Sequence, residues 1–280
     1  MELKHTATRD GRLSSFLKDE MKMSTGLVNR LKWQEKIFVN GVPQHNDYRV
    51  KSGDVITALL DEEQPNYPPQ DGEITVLYED DHLLAVDKPA GRLIHPSHSK
   101  NDGTLANFVL GYYQRTGQKC AFHPVTRLDR DTFGIVLLTK HSHAHALMQE
   151  TDLRKTYHAL VRMGPAEEAG IIDAPIARKP LPSLLREVRP DGKKCITEYR
   201  VLARWDGITK LALTPVTGRP HQLRVHCAYM GFPILGDPQY GFGSEDFGLE
   251  HQLLCARRLE FTHPLTGEKL ILESQMDVKI

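Results

Sequence analysis

Two short segments of this sequence carry side chains that can do chemistry. Arg127-Leu-Asp-Arg-Asp-Thr-Phe-Gly134 sets Asp129 and Asp131 among arginines, directly before a strand-like apolar run. A carboxylate beside guanidinium groups is held ionised and can serve as nucleophile or base. A charged turn closed by a local salt bridge fits the same eight residues equally well. Thr217-Gly-Arg-Pro-His-Gln-Leu-Arg-Val-His226 supplies Arg219 and Arg224. A helix starting near Pro220 would turn free amides and its positive end toward an anion, while a capped helix with solvated arginines is the bland alternative. Lys88, in the loop Asp87-Lys-Pro-Ala-Gly91, is a candidate phosphate contact, although a lone lysine is more often just solvated. His141, His143 and His145 alternate, and that spacing does not put all three on one helical face, so no metal is expected there. Cys120, Cys195, Cys227 and Cys255 are far apart with no Cys-x-x-Cys. That argues against structural zinc and a disulfide framework, and for a reducing compartment.

The elements that must position these groups fall into two units. Asp61-Glu-Glu-Gln-Pro-Asn-Tyr-Pro-Pro-Gln-Asp-Gly72 is acidic and carries three prolines, so residues 61–73 read as a linker without regular structure. Before it, residues 1–60 form a small α+β unit. Leu13, Phe16 and Leu17 have one-face helical spacing, a second helix is expected from Ser24 to Leu31 with Ser24 or Thr25 as N-cap, and Ile37-Phe-Val-Asn-Gly-Val42 reads as a hairpin with a tight turn. After it, residues 74–280 mix strand-like runs (Ile74–Tyr78, His82–Val86, Gly134–Thr139, Tyr157–Val161, Ile208–Leu213) with helix-like ones (Ser142–Glu150, Gln222–Met230). Irregular alternation of this kind implies an α+β fold, with a mixed, largely antiparallel sheet and flanking helices.

At 280 residues with zero formal net charge, the chain does not advertise a polyanionic partner. Its distribution does more: residues 1–60 hold ten Lys/Arg against seven Asp/Glu, 61–82 hold eight acidic residues and no Lys or Arg, and 185–230 hold nine basic against four acidic. Local basic zones steer a polyanion. No apolar run approaches the roughly 18 residues of a membrane span, and the start Met-Glu-Leu-Lys-His lacks a signal-peptide core. A soluble, cytoplasmic protein with no membrane partner is the expectation.

Taken together, the segments resemble the RluA-type family of pseudouridine synthases. Asp87-Lys-Pro-Ala-Gly91, Arg127 to Gly134, Lys155-Thr-Tyr157, Thr217 to His226 running on through Gly-Phe-Pro-Ile-Leu-Gly-Asp-Pro-Gln-Tyr-Gly241, and Leu253-Leu-Cys-Ala-Arg-Arg-Leu-Glu-Phe-Thr-His-Pro264 occur in the family's order. The resemblance implies that Asp129 is the catalytic aspartate, that Tyr157 stacks on the target base, that Arg224 pairs with the aspartate and that Leu254 lines the pocket. Arg127, Arg219, His221, Gln222 and Lys88 are the further substrate-binding candidates. It also implies RNA as partner, ribosomal RNA first and transfer RNA as the alternative, a monomer, and no metal or other cofactor, because nothing is oxidised and no group is lost. The chain departs from the family at Thr126, where His is usual, at Phe133, where Ser or Thr is usual, and at Cys255, often His. The small unit, from Arg12 to Leu59, resembles the S-four RNA-binding fold, with Arg30, Lys32 and Lys36 as candidate phosphate contacts. Two rivals stand beside this reading. A glycoside hydrolase would use Asp129 and Asp131 as its carboxylate pair, although two residues apart on one loop is poor geometry for flanking a bond. A non-catalytic RNA-binding protein would leave Asp129, Tyr157 and Arg224 without a reason to exist.

Overall fold

The computed structural model describes residues 2–97 and 101–279. In the N-terminal stretch, the Ser24 hydroxyl accepts the Leu27 amide at 3.2 Å and starts the helix Thr25–Trp33. The expected helix over Leu13, Phe16 and Leu17 forms as a short α-turn, Leu13–Ser15, that widens into a π-turn, Phe16–Glu20, and buries all three apolar side chains. Asn40 and Gly41 both take positive φ, 50° and 79°, as a tight right-twisted hairpin turn requires. A strand absent from the sequence reading, Glu2–Thr6, completes a four-stranded antiparallel sheet by pairing with Val55–Leu59. It buries Leu3 and leaves its other residues at least partly open, too weak a pattern to read.

Residues 61–73 carry no helix or strand, yet they do not swing free. Glu62 pairs with Lys119 at 2.9 Å and Asp71 with Arg115 at 2.5 Å. Asn66 exchanges two hydrogen bonds with the Phe122 backbone. Gln70 lies so close over the helix Leu105–Arg115 that a Cβ on Gly111 would come within 2.0 Å of the Gln70 carbonyl. The acidic stretch is a strap along the larger unit.

The larger unit is built on a ten-stranded sheet. Its main path runs Ala169–Asp173, Ile196–Trp205, Ile208–Pro215, Arg154–Arg162, Leu254–Thr262, Phe133–Thr139, Leu83–Lys88, Thr75–Glu79. Among the described residues its pairings are antiparallel except Phe133–Thr139 with Leu254–Thr262. Leu83–Lys88 and Phe133–Thr139 are buried throughout, because alternate side chains serve two cores. Leu84, Val86, Val136 and Leu138 pack with the helix Leu105–Arg115, while Leu83, Ala85, Ile135 and Leu137 pack with Met148 of the helix Ser142–Gln149. At the parallel pair, Gly134 sits at φ 106°, and a Cβ there would lie 2.4 Å from the Ala256 carbonyl. Only glycine allows that approach, and it sets the loop carrying Asp129 against the Leu254–Thr262 strand. The helix Leu105–Arg115 is absent from the reading above, although a Thr104–Asn107 capping box starts it.

The alternating histidines meet at the seam with the N-terminal unit. His141 accepts the Ala144 amide at Nδ1, so its proton sits on Nε2 and is donated to His82 Nδ1 at 3.1 Å; His143 donates from Nε2 to the Met21 carbonyl at 3.2 Å. Burial lowers the pKa of all three, that of His141 to about 3. The unfolded chain, with histidines near 6.5, takes up more protons than the fold below that value. Stability is therefore complete above about pH 6.5 and is lost on acidification, with His141 contributing up to about 1.4 kcal/mol per pH unit until its folded value of about 3 is approached. Thermal melts should show a constant Tm from pH 8 to 7 and a decline between 6.5 and 5. The decline should be shallower in His141→Asn, and an unchanged slope would contradict the assignment.

Candidate active site

Asp129 lies in the loop between the strands His123–Pro124 and Phe133–Thr139, and that loop is fastened on both sides. The Lys88 ammonium, fully buried, donates to the carbonyls of Arg130 at 2.7 Å, Arg92 at 2.8 Å and Pro89 at 3.0 Å. Burial pushes Lys88 down to about 7, with Asp131 and Asp129 acting against it. Three carbonyls need three N–H donors, which only the ammonium has. Lys88 is thus a clamp and not the phosphate contact expected of it, since no donor is left over. Upstream, the Thr126 hydroxyl accepts the Leu137 amide at 2.9 Å. Downstream, Thr132 accepts from the Gln252 amide group at 3.2 Å, and Phe133 is buried against His251 and Leu253.

Arg224 comes from the helix Gln222–Tyr229. Its Nη1 donates to Asp129 Oδ2 at 2.9 Å. Its Nε and Nη2 fork onto Asp237 at 2.7 and 2.8 Å, and Nη2 also reaches Gln239 at 2.9 Å. Burial opposes the charge, but the hydrogen bonds and charge of Asp237, then of Asp129, raise the guanidinium above its ordinary value. Asp237 is 1% exposed at its side chain and Asp129 is 32% exposed, so the guanidinium is anchored by one carboxylate and presents the other to open space. Asp237 lies in the matched run that ends at Gly241 but has no role assigned from sequence, because nothing local distinguishes it.

The helix opens at Gln222, where the helix-like run Gln222–Met230 begins and two residues beyond the Pro220 start considered for anion binding; His221 before it is left-handed at φ 58°. Gln222, proposed as a substrate contact, has its amide group committed inside the fold. It accepts from Thr217 and from the Arg219 amide, and donates to the Ile196 carbonyl and Thr197. Its work is to hold the turn before the helix. His221 is held at Nδ1 by Tyr240 at 2.8 Å and points Nε2 toward Asp129 Oδ1 at 3.9 Å. Burial lowers its pKa, with Asp129 opposing.

Asp129, Arg224 and His221 open on a cavity of about 730 Å³ that Tyr157 and Leu254 also line. Tyr157 rises from the strand Arg154–Arg162, and burial and then the charge of Asp129 raise its phenol pKa. Arg127 and Arg219 are exposed on the cavity wall, where Arg219 donates from Nε to the Lys194 carbonyl at 3.2 Å. Asp131 does not line the cavity and is gripped two-pronged by Arg130, which removes the carboxylate pair of the glycoside hydrolase reading. Arg30, Lys32 and Lys36 lie apart from this cavity. Arg30 and Lys36 both pair with Asp61 of the strap, and Lys32 lies 5.9 Å over the Trp33 ring. Two of the three cations are thus partly neutralised within the chain.

A carboxylate anchored through a buried arginine, in a cavity walled by further arginines on a mostly antiparallel sheet, describes an enzyme that acts on a polyanion. A sequence profile of the RNA pseudouridylate synthase family matches residues 82–229. An uncharacterised RNA pseudouridine synthase of Bacillus subtilis, YhcT, is 35% identical over 98% of this chain and 93% of its own length. The ribosomal large subunit pseudouridine synthase C of Vibrio cholerae is 31% identical over 96% of this chain and 90% of its own. The solved structure of human RNA pseudouridylate synthase domain containing 1 superposes with a TM-score of 0.61 at 25% identity, covering 75% of this chain and 86% of that one. The chain belongs to the RNA pseudouridylate synthase family, in its RluA-type branch. It is an RNA pseudouridine synthase, an isomerase that detaches uracil from carbon-1′ of ribose and rejoins it through carbon-5. Among the described residues no helix is long and apolar enough to cross a membrane.

Proposed function

We propose that this enzyme isomerises specific uridines of large-subunit ribosomal RNA, in the cytoplasm and as a monomer, with Asp129 as its catalytic carboxylate. The observation that carries the assignment is the 2.9 Å ion pair between Arg224 and Asp129 at the cavity. The carboxylate is the half-open member of the Arg224 network and the guanidinium orients it. Tyr157 holds the detached base by its ring face, and Leu254 completes the apolar wall. Arg127, Arg219 and His221 meet the RNA around the target nucleotide. A uridine in folded RNA must be flipped out, at a cost of a few kcal/mol, and basic contacts on both units offset that cost. Residues 1–60 act as an S-four-like RNA-binding domain, with Arg30, Lys32 and Lys36 on its contact surface. The Vibrio cholerae relative, named for the ribosomal large subunit, supports ribosomal over transfer RNA.

Pseudouridine mapping of ribosomal and transfer RNA from cells lacking the protein tests this. A large-subunit site should disappear and return with the wild-type gene but not with Asp129→Asn. Loss confined to transfer RNA would overturn the substrate, and restoration by Asp129→Asn would overturn the role of the carboxylate.

A further inference from the structure

Besides Arg224, the cavity holds a sheltered cation for which the protein supplies no counter-ion. Lys155 lies two residues before Tyr157 on the strand Arg154–Arg162 and lines the same cavity. Residues i and i+2 of a strand share a face, so lysine and tyrosine look into one space, with Leu153 and Leu254 beside them. Among the described residues the Lys155 ammonium makes no hydrogen bond and no ion pair. It is also partly buried, whereas Arg127, Arg130 and Arg219 of the cavity wall are exposed. A sheltered ammonium without an acceptor is costly. Arg224, the other sheltered cation here, is saturated by Asp237, Gln239 and Asp129. Lys155 is thus the cation of this cavity that is both sheltered and uncommitted.

We propose that Lys155 is a further catalytic residue, donating a hydrogen bond to a ring carbonyl oxygen of the uracil as negative charge develops there. This rests on the reading of the cavity as the site of uridine isomerisation. When the bond from carbon-1′ to nitrogen-1 breaks, its electron pair leaves with the uracil and spreads from nitrogen-1 onto oxygen-2 and oxygen-4. If Asp129 instead adds to carbon-6, the pair of the carbon-5–carbon-6 double bond moves toward oxygen-4. Either route loads the ring carbonyls, and a fixed ammonium in a sheltered cavity stabilises that charge more than it stabilises the neutral base. Lys155 keeps its proton throughout. The exposed arginines suit the phosphates, which remain in water, while the sheltered lysine beside the aromatic ring suits the base.

The test offers unmodified large-subunit ribosomal RNA and transfer RNA transcripts to the wild-type protein, to Lys155→Met and to Lys155→Arg. Rates are read under single turnover from release of the carbon-5 hydrogen as tritium. The modified fragment is then resynthesised with 2-thiouridine or 4-thiouridine at the target. Lys155→Met should slow the step by about 10²–10³-fold, the range for loss of one such donor, with RNA affinity unchanged and Tm equal or higher because an uncompensated charge is removed. Lys155→Arg should recover part of the rate. One thio substitution should slow the wild type and leave Lys155→Met no slower. An unchanged rate in Lys155→Met, or a loss confined to RNA affinity, overturns the proposal for Lys155 alone. A wild-type protein that modifies none of these RNAs overturns the reading of the cavity as well.

Discussion

Asp129→Asn is expected to lower pseudouridine formation by at least about 10⁴-fold, the scale on which an enzyme loses activity with its reactive carboxylate or nucleophile, while RNA affinity and Tm stay near wild type. The separation follows from how the ion pair is built. Arg224 keeps both prongs on Asp237 and its bond to Gln239 when Asp129 is neutralised, so no buried charge is orphaned. The loop keeps its shape because Lys88, Thr126 and Thr132 hold its flanks without using the Asp129 side chain. Asparagine accepts from Arg224 Nη1 almost as the carboxylate does, but it cannot attack carbon or accept a proton. Asp129→Glu should be nearly as inactive, since one added methylene moves the oxygens by more than the tolerance of a positioned reactive group. Single-turnover rates together with filter-binding affinities on the same RNA check both variants. A variant that loses RNA affinity in step with its rate would show that the carboxylate serves binding.

Arg224→Leu should damage both fold and activity. It leaves Asp237, with 1% of its side chain exposed, as a buried carboxylate without its partner, a loss of about 3–5 kcal/mol that lowers Tm by roughly 10 °C in a chain of this size. It also frees Asp129, so the rate per folded molecule should fall by about 10²–10³-fold, as when a preorganised charged contact is removed. The double variant Arg224→Leu/Asp237→Leu separates these roles. Replacing both members of a buried pair by apolar groups is often near neutral, so much of the stability should return, although the Gln239 and Tyr240 amides lose their acceptor. Activity should not return. Arg224→Lys, which keeps the charge but loses the planar fork, should be intermediate in stability and still slow. Recovery of activity in the double variant would show that Arg224 matters only as packing.

Much of the fold was legible because its cause is local. The strand-like runs at 134–139 and 208–213 carry the apolar content their burial needs, Ser24 caps its helix from within the sequence, and Asn40-Gly41 is a turn in any context. Glu2–Thr6 escaped notice because a single apolar side chain pins it. Leu105–Arg115 carries both its cap and its apolar spacing in its own sequence.

The candidate site divides along the same line. Asp129, Tyr157 and Arg224 were nameable only through the family resemblance of their motifs taken in order, since each motif read where it stands fits a bland alternative as well. What each polar group was committed to could not be read. Arg224 meets Asp129 across 95 residues, and Lys88 meets Arg130 across 42. A lysine reads the same in sequence whether solvated, spent on three carbonyls like Lys88, or left without an acceptor in the cavity like Lys155. The motifs settled which charges and rings the protein owns. The tertiary structure decided which of them are satisfied internally and which remain for a ligand, because a buried charge must find its partners among whatever the sheet brings within hydrogen-bond reach.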